Sequence, residues 1–292
     1  MELMQTTYRA SLSAAQMWAN GAESRIQRRP IRDSLCLLTG AGGNILILPG
    51  PDGSLAVDSG LVSAAPHLTE ALKHLAIRPV RHLVNTHWHF DHTGGNVWMS
   101  KAGAAIIAHE NSRIRMGSFQ AIPAFDVVVP PSPNAALPTI VFPYKQTITV
   151  DGETVELRRH TPAHTDTDIS VFFAKANVLH TGDTWFSGIY PFIDYDSGGS
   201  IRGLVVASTE NISLADSETV VVPGHGETGS RKDLLNFREM LLTVCDSVAI
   251  LKGSGRSLEA VIAEKPTARF DEQWGGGFVT PELFTSLVYR GL

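Results

Sequence analysis

The sequence predicts an α+β domain in which two packed sheets carry helices on their outer faces. Three observations support this. Short apolar runs punctuated by Gly and Pro recur in both halves of the chain, each half also shows helical spacing, and the residues suited to metal chemistry fall where strands end. The chain has 292 residues, of which 43% are hydrophobic, enough for one large core. The expected organisation is an N-terminal arm over residues 1–30 and a single domain over residues 31–292.

Residues 7–19 hold enough Ala, Leu and Met for a short helix. Apolar runs at 34–38, 44–48 and 54–58 are separated by Gly-rich and Pro-Gly turns, the pattern of an antiparallel meander. Residues 64–75 place Leu68, Ala71, Leu72 and Leu75 at helical spacing, and 80–85 read as a strand. Gly94 and Gly95 open the next helix, 104–108 is a strand, and the Pro-rich stretch 122–143 reads as an irregular excursion near the site mouth. The second half repeats the grammar: 146–150 and 154–159 flank an Asp151-Gly152 turn, followed by strands at 169–173, 177–180 and 220–222. Helices are expected over 201–211 and 232–251. The two halves are too dissimilar to be a sequence repeat.

The formal net charge is −5, with 24 basic and 29 acidic residues, and no basic run is long enough to track a phosphate backbone. Nucleic acid is therefore not an expected partner. Cys36 and Cys245 build neither a disulfide framework nor a thiolate zinc knuckle. No run reaches the roughly 18 apolar residues of a membrane span, and residues 1–30 lack a sustained apolar signal core. A cytoplasmic location is expected for the chain as it stands, and a periplasmic one if a signal peptide has been removed. The expected partner is a small-molecule substrate, with no membrane; oligomeric state is not legible.

The segment Thr86-His87-Trp88-His89-Phe90-Asp91-His92 places three imidazoles and a carboxylate within six residues. Clustering that many titratable groups without a cation is costly, and imidazole is the commonest protein ligand for zinc. Three further candidates stand beside small residues at later strand ends: His164, Asp183 and His225. Together the seven donors suffice for two metal ions.

These residues, in this order and with these flanks, make the chain resemble the metallo-β-lactamase superfamily of αβ/βα hydrolases over roughly residues 35–229. The resemblance implies a four-layer αβ/βα sandwich and two zinc ions. Carried over, His87, His89 and His164 would hold the first ion, Asp91, His92 and His225 the second, and Asp183 would bridge them. Asp58 would orient a ligand histidine from behind, or serve only as a turn residue. The implied chemistry is attack of a metal-bound hydroxide on a carbonyl, with Asp91 orienting the nucleophile and shuttling a proton.

One departure bears on substrate. Established zinc β-lactamases generally carry Cys or Ser where Asp183 stands, so the resemblance implies hydrolysis of a thioester, lactone or lactam as a group. The alternatives are β-lactam hydrolysis as the dedicated activity and an iron-dependent persulfide dioxygenase. The tail after Lys232 shows no evident Arg/Lys cluster for glutathione. In the loop that follows Asp183, Tyr190 is a candidate to bond a substrate carbonyl or a packed aromatic. The amides around Ser197 and Gly198, just ahead of a helix capped by Ser200, are candidates to bind a substrate carboxylate. The remaining histidines, and the Trp274 to Phe278 turn, are expected to be structural.

Overall fold

Alternation along the strands sets the layers, because successive side chains of a strand point to opposite faces. The computed structural model describes residues 9–75 and 77–292. Strands β1 (Gln27–Pro30), β2 (Cys36–Thr39), β3 (Ile45–Leu48), β4 (Ser54–Val57), β5 (Val80–Val84) and β6 (Ala105–His109) lie side by side. The first four are antiparallel, and β4, β5 and β6 run parallel. A hairpin of β7 (Gln120–Ile122) and β8 (Val127–Val129) stands apart, and β9 (Ile140–Phe142) completes the first sheet by pairing parallel to β6. The second sheet runs β10 (Lys145–Val150), β11 (Glu153–Arg159), β12 (Ile169–Phe173), β13 (Val178–His180) and β14 (Val220–Val222), antiparallel except for the parallel pair β13 and β14.

Leu46, Leu48, Leu55, Val57 and Val84 on one sheet meet Val155, Leu157, Val171, Phe173 and Val222 on the other. Their sequence neighbours Ile45, Ile47, Ala56 and Leu83 face the opposite way, toward helices. Burying each such side chain contributes on the order of 1.5–3 kcal/mol. The helices are α1 (Ala14–Glu23), α2 (Ala65–His74), α3 (Phe90–Thr93), α4 (Asn96–Lys101), α5 (Glu110–Met116), α6 (Ile201–Leu214), α7 (Arg231–Gly253), α8 (Leu258–Ala263), α9 (Asp271–Trp274) and α10 (Pro281–Gly291). Leu68 of α2 and Met99 of α4 cover the first sheet. Leu204 of α6, Phe237 and Leu241 of α7 and Phe284 of α10 cover Leu179 and Val221 of the second. The result is the four-layer αβ/βα sandwich.

Helix α7 shows how local sequence sets an element. Leu234, Phe237, Leu241, Val244 and Val248 recur at helical spacing and are all buried. At its start the Asp233 carboxylate accepts from the Ser230 N–H at 2.8 Å, satisfying an amide the helix leaves free.

Three expectations need correction. The stretch 122–143 is not wholly irregular: it contains β8, β9 and two 3-10 turns, whose three-residue strands are too short to show periodicity among the prolines. The N-terminal helix begins later than its composition suggests, at Ala14, where the Ser13 side chain accepts from the Gln16 N–H; residues 7 and 8 of the expected 7–19 helix lie outside the described residues. Gln27–Pro30, counted with the arm, pairs with β2 as an edge strand. Among the described residues no helix is long and apolar enough to cross a membrane.

Candidate metal centre

Four chain segments converge at one end of the sandwich. Strand β5 delivers Thr86 and His87, and α3 follows with Asp91 and His92. The turn is shaped from behind by Asp58, which sits at the end of β4 with φ +64. Its carboxylate accepts from the Thr86 amide and hydroxyl and from His92 Nδ1, each at 2.8 Å. His164 stands in the loop after β11, Asp183 in the 3-10 turn after β13, and His225 just beyond β14. Gly224 matters here because a Cβ at that position would strike the Asp183 carboxylate.

His87, His89, His164 and Asp183 offer ligand atoms all within 4.8 Å of one another, and Asp91, His92 and His225 form a second such group. Asp183 lies between the two. Its oxygens are 3.5 Å from His164 Nε2, 3.8 Å from His87 Nε2, 3.2 Å from His92 Nε2 and 3.5 Å from His225 Nε2. The structure thus brings together all seven donors named from the sequence.

Tautomers follow from the partners behind each ring. His164 Nδ1 donates to the Phe192 carbonyl at 2.7 Å, so its Nε2 is the bare nitrogen. His89 Nε2 donates to Asp194 at 3.0 Å, so its bare nitrogen is Nδ1. These two bare nitrogens face each other at 2.9 Å. Two lone pairs pointed at one another repel, and a cation between them turns that repulsion into ligation. His87 donates through Nδ1 to Thr86 Oγ1, and its buried Nε2 has no partner. Asp183 Oδ1 is buried as well, with His92 Nε2 3.2 Å away. This donor set fits a pair of divalent metal ions.

Electrostatics agree. Burial, with His92 beside it, holds His87 well below the usual imidazole value, and burial next to His89 lowers His164. Burial alone would lower His225 and His92 as well. For His225 it is outweighed by Asp183 and Asp91, which push it up to about 9. Asp183, Asp91 and Asp58 likewise hold His92 well above its ordinary value. The carboxylates move the other way: burial notwithstanding, His92 and His225 hold Asp183 well below the usual range and Asp91 at about 2. The second group therefore has a strong demand for positive charge.

Asp58→Ala would leave the Thr86 amide and His92 Nδ1 buried without an acceptor. Metal affinity is expected to fall about 10- to 100-fold, as for other losses of a group that orients a ligand. A competitive chelator titration measures this, and unchanged affinity would mark Asp58 as a turn residue only.

Above the metal donors, the recess is walled by Met17, Phe90, Ile122, Phe125, Phe186, Phe192 and Phe278, with no Lys or Arg among the described residues that line it. Its volume is about 20 Å³, room for little more than a water. The segment leading into α1 is stitched across it: the Ala10 amide donates to Ala124 O and the Ser11 amide to Phe278 O. The Trp274 to Phe278 turn packs against this centre, with the Phe278 ring 5.7 Å from that of His225.

Asp194 was not foreseen as a partner of His89. It is buried and accepts from His89 across 105 positions, and nothing in its local spacing signals this. His180 holds the turn before Asp183 by accepting from the Gly182 amide, and His160 bonds Glu210 and Ser170.

The substrate-binding candidates are corrected. Tyr190 is fully buried, stacks on Phe284, and donates to Asp271 and the Thr267 carbonyl, so no hydroxyl reaches the recess. Ser197 is buried, and the amides of Ser197 and Gly198 are taken by Asp194 and by the Tyr195 carbonyl. Ser200 does cap α6, accepting from the Gly203 amide. Gly198 adopts φ +75, and a Cβ there would lie 3.1 Å from the Asp166 side chain. Gly198→Val should therefore cost on the order of 1–2 kcal/mol of stability while neutral and carboxylate-bearing substrates slow by the same factor. A KM increase confined to the carboxylate substrate would restore an anion-binding role.

Comparison with known proteins places this geometry. A hydroxyacylglutathione hydrolase from Polaromonas sp. is 30% identical over 150 residues, 50% of this chain and 48% of that protein. The chain thus spans about half the length of the curated relatives it matches. A metallo-beta-lactamase from Pontibacter korlensis superposes with TM-score 0.61 at 19% identity, covering 75% of this chain and 99% of the other. An inverting sec-alkylsulfatase from Pseudomonas sp. superposes with TM-score 0.68 at 15% identity, covering 96% of this chain and 53% of the other. At such identities the two structures speak to fold alone. The sequence pattern of the metallo-beta-lactamase superfamily matches residues 36–225, from β2 through the last metal donor. With the donors in that order on an αβ/βα sandwich, the chain belongs to the metallo-beta-lactamase superfamily.

Proposed function

We propose that this protein is a dinuclear zinc hydrolase that cleaves a carbonyl–heteroatom bond, thioester, lactone or lactam, in a small molecule. The observation that carries the reading is the opposed pair of bare nitrogens, His89 Nδ1 and His164 Nε2, beside an Asp183 carboxylate shared with a second donor group. Two zinc ions bound there would activate a water and polarise the carbonyl. His87, His89 and His164 would hold one, Asp91, His92 and His225 the other, and Asp183 both.

The chain's own groups do the rest. Asp91 borders the recess with Oδ2 3.2 Å from His225 Nε2, where it can orient the attacking water and take up its proton. Asp58 and Asp194 hold His92 and His89 in the tautomers that present a lone pair. The phenylalanine walls exclude bulk water, which strengthens each electrostatic interaction within.

Kinship with a hydroxyacylglutathione hydrolase supports the hydrolytic reading. That the described residues lining the recess include no Lys or Arg favours an uncharged substrate over glutathione thioesters or the carboxylate-bearing β-lactams. The test is a panel of nitrocefin, S-lactoylglutathione and a neutral lactone on metal-loaded protein, with elemental analysis and oxygen uptake. Lactone turnover exceeding the other two is expected. Oxygen consumption with a persulfide and an iron content would overturn the hydrolase reading in favour of a dioxygenase.

A further inference from the structure

The recess over the metal donors holds only about 20 Å³ of free space, so a bulky substrate group needs room beyond it. Behind one wall there is room. A second cavity of about 320 Å³ lies on the far side of Phe90, and Phe90 lines both spaces. That volume falls at the lower end of ordinary ligand pockets, roughly 300–1,000 Å³.

The second cavity is walled by Val62, Trp88, Val97, Met116, Val129 and Pro133. Among the described residues Arg115 is the one charged residue in its lining, and its guanidinium is already committed to Asp166 through two hydrogen bonds, at 2.7 and 3.1 Å. No free charge faces a ligand there. Trp88 ties the cavity to the metal donors, since it stands between His87 and His89 and its ring meets the His89 ring at 4.7 Å. Phe90 packs on the margins of two apolar clusters but is itself only half-buried, and its outer neighbour Trp18, 5.6 Å away, is exposed.

Resting on the hydrolase reading above, we propose that the cavity behind Phe90 is the specificity pocket for the uncharged, apolar part of the substrate, with the Phe90 ring as the gate between it and the metal centre. The reacting carbonyl lies among the metal donors while an alkyl or aryl group passes the displaced ring and fills the space under Trp88 and Val97. Apolar burial then selects the substrate, and the pocket's volume sets an upper limit on chain length.

The experiment uses metal-loaded protein and p-nitrophenyl esters from acetate to octanoate, reading kcat/KM against chain length. Val97→Trp, which fills the cavity, should lower the octanoate-to-acetate ratio at least tenfold, and Phe90→Ala should raise it at least threefold. Val129→Trp fills the same space from the β7–β8 hairpin and guards against misfolding of the first variant. Ratios within twofold of wild type in all three variants would overturn the proposal. If wild type hydrolyses no ester, the hydrolase reading is judged by the thioester, lactone and lactam panel above, and the pocket is judged by calorimetric binding of 1-octanol. Binding to wild type that is lost in Val97→Trp and Val129→Trp upholds the pocket; no binding, or binding that survives both, refutes it.

Discussion

Chelation with EDTA is expected to abolish turnover, and added zinc to restore it, with protein purified without chelator carrying close to two equivalents of zinc. The physical reason lies in the donor set. Bare nitrogens of His89 and His164 face each other at 2.9 Å, and His92 Nε2 and His225 Nε2 at 3.2 Å. Without a cation, protons on His92 and His225 must supply the charge that Asp91 and Asp183 demand. Metal removal therefore leaves a buried polar cluster compensated only by protons, and the melting temperature should fall with activity. Elemental analysis with a thermal melt checks both. A persistent ratio near one zinc would require a mononuclear mechanism, and turnover surviving chelation would refute metal-dependent hydrolysis.

Asp183→Ala is expected to lower turnover at least about a hundredfold by disturbing the geometry of both ions. Among the described residues, Asp183 is the one carboxylate within 4 Å of histidines from both donor groups. Its loss removes the negative charge that helps hold His92 and His225 protonated in the metal-free protein. Zinc content should drop toward one equivalent, measured alongside kcat on whichever substrate of the panel is turned over. Near-normal turnover with two zinc ions retained would reduce Asp183 to a turn residue.

Much of this centre was legible because it is locally encoded. His87, His89, Asp91 and His92 are neighbours in sequence, and a strand end followed by one helical turn suffices to present them. The strand pattern around them was equally plain, since Ile45 to Leu48 and Ser54 to Val57 are apolar runs bounded by Gly and Pro. The three-residue strands β8 and β9 were not, because a run that short among prolines has no period to read. Tyr190 and the Ser197 to Gly198 loop were misplaced for a related reason. Proximity in sequence to Asp183 suggested the site, whereas packing against Phe284 and Asp271 turned Tyr190 away from it.

By itself the sequence determined most of the sheet-forming segments, the seven candidate donors and the resemblance to the superfamily. Each rests on short local patterns: apolar runs bounded by turn residues, the His87 to His92 cluster, and a later His or Asp beside small residues at a strand end. Only the tertiary structure decided that Asp194 orients His89, that Met17 and Phe278 roof the recess, and that Phe90 divides it from a larger apolar space. Those relations join segments far apart in the chain, and they exist only once the burial of both sheets has brought the loops together.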